Sequence, residues 1–178
     1  MARIAKRKVA NYLDIADNGV TTAERGRALE ELVSYVFRCV PGVAITKRNS
    51  LNVFQSEEID VAIWNDKHPK GLVFLPNLFL IECKNWGVPV GSNEVNWFDT
   101  KLRTRGLPFG VLVALNGITG DAIDRTGGHQ IIAAALREQR QMIVVTRQEI
   151  ETLSNSDQVI QLIKEKLCEL AVTGTLFP

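Results

Sequence analysis

Leu78-Phe79-Leu80-Ile81-Glu82-Cys83-Lys84 is the stretch on which the fold turns. It closes a run from Leu72 to Lys84 rich in Leu, Val, Phe and Ile, in which Pro76-Asn77 marks a bend or an edge. Seven residues with so many apolar side chains read as a central strand, buried on both faces. Residues two apart on a strand share a face, so Glu82 and Lys84 point one way and Ile81 and Cys83 the other. Their Cα atoms then lie about 6–7 Å apart.

Upstream, Thr21-Thr22-Ala23-Glu24 resembles a capping box, with Thr21 as N-cap and Glu24 at N3. A helix follows, because Leu29, Leu32, Val33, Val36, Phe37 and Val40 recur at helical spacing until Pro41-Gly42 ends the run. Val43 to Lys47 and Ile59 to Trp64 read as strands, with Asn65 to Gly71 as a turn. Downstream, helix and strand alternate. The spacing predicts a helix around Val95 to Arg103, a buried strand from Gly110 to Leu115, a helix around Ile131 to Gln139, a strand from Met142 to Thr146 and an amphipathic helix near Val159 to Leu170. A leading helix, a meander and then crossover helices describe an α/β sandwich. Nothing resembling a repeat or a Pro/Gly/Ser linker divides it, so the expected organisation is a basic leader over residues 1–20 and a single domain over 21–178.

Composition fits one globular domain with a substantial core: 178 residues, 46% hydrophobic and 23% charged. A formal net charge of +1, from 21 basic against 20 acidic residues, excludes a strongly basic wrapper of nucleic acid but permits a local basic patch. Cys39, Cys83 and Cys168 are an odd, scattered set without a C-x-x-C pair, which argues against a disulfide framework or a thiolate zinc site and for a cytoplasmic protein. No apolar run approaches the roughly 18 residues of a membrane span, and the basic start lacks the apolar centre of a signal peptide.

Glu-x-Lys on one strand face lets a carboxylate hold a divalent cation while the ammonium reaches a neighbouring water or phosphate, but two common residues at that spacing say little alone. Asp60 adds to it, because it interrupts the apolar stretch of the preceding strand, as a metal ligand would. Mg²⁺ commonly takes one or two carboxylates and fills its remaining positions with water and phosphate, a requirement Asp60 and Glu82 meet. A third acid comes from the first long helix, where each residue advances by about 100°. Glu30 projects at the edge of the apolar stripe beside Phe37, whereas Glu31 projects roughly opposite it.

Taken in order, Gly26-Arg27-Ala28-Leu29-Glu30, Ile59-Asp60 and Glu82-Cys83-Lys84 resemble the signature of PD-(D/E)XK nucleases, particularly Mrr-like restriction endonucleases. The similarity runs on through Asn85-Trp86, the following helix and the Gly110 strand to Leu153. It implies a restriction-endonuclease-like three-layer sandwich, a central mixed sheet flanked by helices. It also implies a DNA endonuclease in which Asp60 and Glu82 ligate Mg²⁺ (or Mn²⁺ as substitute), Glu30 supports the metal directly or through water, and Lys84 assists the nucleophile. Cleavage by metal-activated water leaving a 5′-phosphate is implied with it. Placed between acids, Lys84 is expected to keep its proton and to orient water and stabilise the transition state rather than act as a base. Unlike many Mrr-like proteins, the chain shows no further DNA-reading domain. Cutting both strands calls for two sites, hence an expected homodimer.

Asp99-Thr100-Lys101 is a competing D-x-K, but it falls on a helix, where residues two apart diverge by about 200°. Lys101, Arg103 and Arg105 form a basic cluster that either contacts phosphate or is a solvated helix end. Trp86 and Trp97 either stack on bases or cap a core. His68 and His129 have no partner at zinc spacing and read as surface residues. The same metal chemistry would serve a Holliday-junction or RNA nuclease, and the same fold a non-catalytic nucleic-acid-binding module.

Overall fold

A computed structural model describes residues 1–51, 58–123 and 125–176. In chain order the elements are α1 (Lys6–Asn18), α2 (Thr22–Arg38), β1 (Val43–Leu51), β2 (Glu58–Asn65), β3 (Leu78–Lys84), α3 (Ser92–Thr104), β4 (Phe109–Ala114), α4 (Gly127–Arg137), β5 (Gln141–Val145), α5 (Arg147–Thr152) and α6 (Ser156–Thr173). The strands make one mixed sheet in the order β1-β2-β3-β4-β5. The first three run antiparallel as a meander, and β3, β4 and β5 run parallel, joined by α3 and α4. Thr21 caps α2 as its spacing predicts, its side chain accepting from the Glu24 N–H at 3.1 Å.

Strand alternation sorts the core into two layers. Val61, Ile63, Phe79, Ile81, Val111 and Val113 share one face of the sheet and are all fully buried. Phe79 stacks edge-on against Phe109 and tilts against Phe37 of α2, while Val113 and Val145 meet side chains of α2 and α6. On the opposite face Leu80, Gly110 and Leu112 lie beneath α3, which packs on α4. The protein is thus an α/β sandwich of helices, mixed sheet and helices.

Gly110 fixes how closely α3 approaches. A Cβ there would lie 2.7 Å from Phe98 and 2.8 Å from Leu102, both buried. Gly110→Ala is expected to push α3 outward and cost about 1–3 kcal/mol by overpacking. A lowered urea midpoint at unchanged slope checks it.

Residues 1–20, expected as a basic leader, hold α1, which buries Val9, Leu13 and Ala16 and packs on α2, with Lys6, Arg7 and Lys8 left outside. Leu72 to Asn77 forms turns ahead of β3, and the strand begins after Pro76-Asn77 as the sequence indicates. The buried Asn65 amide donates to the carbonyls of Leu72 at 2.8 Å and Pro76 at 3.2 Å, folding that stretch into turns that sink Leu72 and Leu75 into the core.

Candidate active site

The ladder between β2 and β3 ends at Val61 opposite Ile81. One step further along the same register, Asp60 faces Glu82 on the α3 side of the sheet. Here the strands part, and the Cys83 N–H donates to Asp60 Oδ2 at 2.7 Å, a side-chain oxygen serving where a ladder carbonyl would. Two carboxylates are thereby held at the end of one strand pair. Asn85, just beyond β3, anchors that end by donating to the Ala16 carbonyl at 2.6 Å, which ties the site strand to α1.

Glu82 is buried, with 3% exposure. Lys84 Nζ lies 2.9 Å from its Oε1, and Lys101 Nζ, from α3, lies 2.7 Å from its Oε2. Lys101 also donates to the Glu58 carbonyl at 2.7 Å. Burial, followed by the charge of Glu82, pushes the Asp60 carboxyl up to about 7 against the pull of the Cys83 N–H and the two lysines. For Lys84, burial works against the charge, but the charge and hydrogen bond of Glu82, helped by Asp60, outweigh it and raise its pKa. Burial, with the charges of Asp60, Glu30 and Glu82, drives the Cys83 thiol well above its ordinary value, so it stays protonated and is no nucleophile.

Glu30 stands apart from this group. A register shift in β1 between Ile45 and Lys47 reverses the strand's alternation, so Arg48 pairs with Val61 and faces α2. There Arg48 lies 2.6 Å from Glu31 and 3.8 Å from Glu30. Glu30 is the more buried acid, its side chain 14% exposed against 42% for Glu31. Among the described residues, no three Asp, Glu, His or Cys side chains converge as a ready metal-ligand group, so Glu30 is not gathered with Asp60 and Glu82. Those two carboxylates are hard oxygen donors whose crowding a cation would relieve, and they fit an ion that keeps several waters.

Lys101 does not belong to a surface basic cluster: it is 4% exposed and pairs with Glu82. Arg103 is exposed, and the Arg105 guanidinium folds back to donate to the Lys101 carbonyl at 3.0 Å. Asp99 turns away to Arg140, which donates to its two oxygens at 2.8 and 3.0 Å. Trp86 and Trp97 are 40% and 50% exposed, so neither is fully covered by the core. His129 is not a surface residue. It is buried within hydrogen-bond distance of Thr175 Oγ1, whereas His68 is exposed.

Among curated proteins, no relative of this chain is found. Residues 24–153 match the Mrr catalytic domain, described as a restriction endonuclease. The match spans α2 to α5, carries Glu30, Asp60, Glu82, Lys84 and Lys101 within it, and covers well over half of the sequence. The chain belongs to the restriction endonuclease family of the PD-(D/E)XK nuclease superfamily.

Proposed function

We propose that this nuclease is a cytoplasmic DNA endonuclease that hydrolyses phosphodiester bonds with Mg²⁺, or Mn²⁺ in its place, held by Asp60 and Glu82. The observation that carries this reading is the pairing of the two carboxylates at the parted end of β2 and β3, with Lys84 on the same face. When bound, the cation would acidify a water molecule and offset phosphate charge. Lys84 keeps its proton at Nζ, which suits it to orient that water and to meet the negative charge that grows on the phosphate, not to abstract a proton. Asp60, anchored by the Cys83 N–H, keeps its other oxygen for the site. Glu30 contributes through water and through its field, which already reaches Cys83. Trp86, on the loop that leaves β3, and exposed Arg103 are the side chains offered to the nucleic acid.

Purified protein incubated with linear duplex, closed circular and single-stranded DNA, four-way junctions and structured RNA is expected to cut duplex DNA when Mg²⁺ or Mn²⁺ is present and to stop when the metal is chelated. Cleavage that persists in chelator, or its absence on every substrate with metal supplied, overturns the reading. Preference for junctions or RNA would keep the chemistry and replace the substrate. One chain carries one Glu82–Lys84 site and a duplex has two strands, so we further propose a homodimer. Light scattering that gives the mass of one chain at working concentration overturns that part.

No helix among the described residues is long and apolar enough to cross a membrane.

A further inference from the structure

Glu82 carries an ammonium on each oxygen, and the two lysines are not equivalent. Lys84 is on β3 itself, with its side chain 23% exposed and solvent to turn into. Lys101 comes from α3, its side chain only 5% exposed, and it is held at a second point by the Glu58 carbonyl. A lysine so deeply buried is rare without a partner. Here the partner is the acid on which the site is centred. Because Glu58 is two residues before Asp60, the same ammonium also clamps β2 to β3 where their ladder stops.

An oxygen that accepts from an ammonium at 2.7 Å has one lone pair and part of its charge already engaged. A divalent cation prefers such an oxygen at about 2.0–2.1 Å. Ammonium and cation on one oxygen would repel each other, so each weakens the other's hold on it. Lys101 can draw back and still keep one partner, since the Glu58 carbonyl remains to accept from it.

We propose that Lys101 is a positioning residue that holds Glu82 ready in the metal-free site and competes with the divalent cation for Glu82 Oε2. This inference rests on the metal-dependent reading above. It differs from a purely structural role in the sign of its effect, because removing a structural support loosens metal binding whereas removing a competitor tightens it.

The test is calorimetric titration of Mn²⁺ alone, without DNA, into the wild-type protein and into Lys101→Gln, Lys101→Met and Lys101→Arg, each checked for native circular dichroism. Lys101→Gln keeps a donor for the Glu58 carbonyl and serves even where Lys101→Met fails to fold. With the competing charge gone, the Gln and Met variants are expected to bind Mn²⁺ roughly five- to tenfold more tightly, while Arg, which keeps the charge, shows no tightening. Wild-type uptake with unchanged or weaker binding in the neutral variants overturns the role of Lys101 and leaves the metal reading intact. No uptake by the wild-type protein overturns both.

Discussion

Glu82→Gln is expected to lower metal-dependent cleavage by at least about 10³-fold and to destabilise the metal-free protein by about 2–3 kcal/mol. The amide keeps the shape of the side chain but removes the charge on which two ammonium groups converge, at 2.9 Å and 2.7 Å. Lys84 can turn to water. Lys101, nearly inaccessible, would keep the Glu58 carbonyl and face a neutral group where it had a carboxylate. Breaking a buried pair by removing one partner commonly costs about 3–5 kcal/mol, because the other charge is left desolvated. Part of that is returned here: the charge of Glu82 is one of the forces that raise the Asp60 pKa, so its loss lets Asp60 ionise and answer the lysines. The net loss corresponds to roughly 5–10 °C in the midpoint of a chain of this size. Thermal unfolding in chelator and cleavage assays with Mn²⁺ check both halves. Wild-type stability together with wild-type cleavage would remove Glu82 from the centre of the site.

Much of the architecture was legible because it is written in periods. β3, β4 and β5 are short apolar runs separated by helical spacings, and each parallel strand needs a crossover, so α3 and α4 follow from the alternation itself. What escaped was local. α1 shows Val9, Leu13 and Ala16 at helical intervals, but Lys6, Arg7 and Lys8 at its start dominate the composition and suggest a basic leader. The stretch Leu72 to Asn77 is apolar at its start, and Pro76-Asn77 marks where it bends but not how it folds. Its conformation is decided by Asn65, seven or more positions away in sequence, whose amide binds carbonyls that a ladder would otherwise have used.

The site shows the same division. Glu82 and Lys84 on one face follow from strand geometry, and Asp60 from one polar residue in an apolar stretch. Lys101 is readable in the same way, although Arg103 and Arg105 beside it suggest a basic cluster instead. Asp99 and Lys101 diverge by about 200° on a helix, which excludes them as a pair. The same divergence places them on opposite borders of the stripe formed by Val95, Phe98 and Leu102, so one reaches Arg140 and the other Glu82. The stripe-edge criterion that singles out Glu30 on α2 applies equally to Lys101 on α3. In contrast, the relation between Glu30 and Arg48 depends on a one-residue register shift in β1, and nothing in the order of residues announces that shift.

Asp60→Asn is expected to remove cleavage as Glu82→Gln does, yet to raise the stability of the metal-free protein, and the opposite signs follow from the different partners of the two acids. Glu82 has two ammonium groups at hydrogen-bond distance, whereas Asp60 has a backbone N–H and a neighbouring carboxylate. Burial and Glu82 raise the Asp60 carboxyl from 3.8 to about 7, so the folded protein holds that proton more firmly than the unfolded chain. The associated stability is complete below about pH 4 and is lost as the pH rises through about 7, a slope set by the extra proton of the folded state. A shift of about three units corresponds to about 4 kcal/mol. An amide costs more to bury than a carboxylic acid, which leaves an expected gain of about 1–2 kcal/mol for Asp60→Asn at pH 8. In chelator the variant should therefore melt roughly 3–6 °C above the wild-type protein at pH 8, with the gap closing at about pH 5–6 and the order reversed toward pH 4. Adding Mn²⁺ should reverse the order, since binding to the folded state stabilises only the protein that keeps both carboxylates. A gap that does not change with pH would mean that Asp60 is not pressed against Glu82 in the way the structure shows. A gap that survives saturating Mn²⁺ would mean that the two carboxylates do not share a cation.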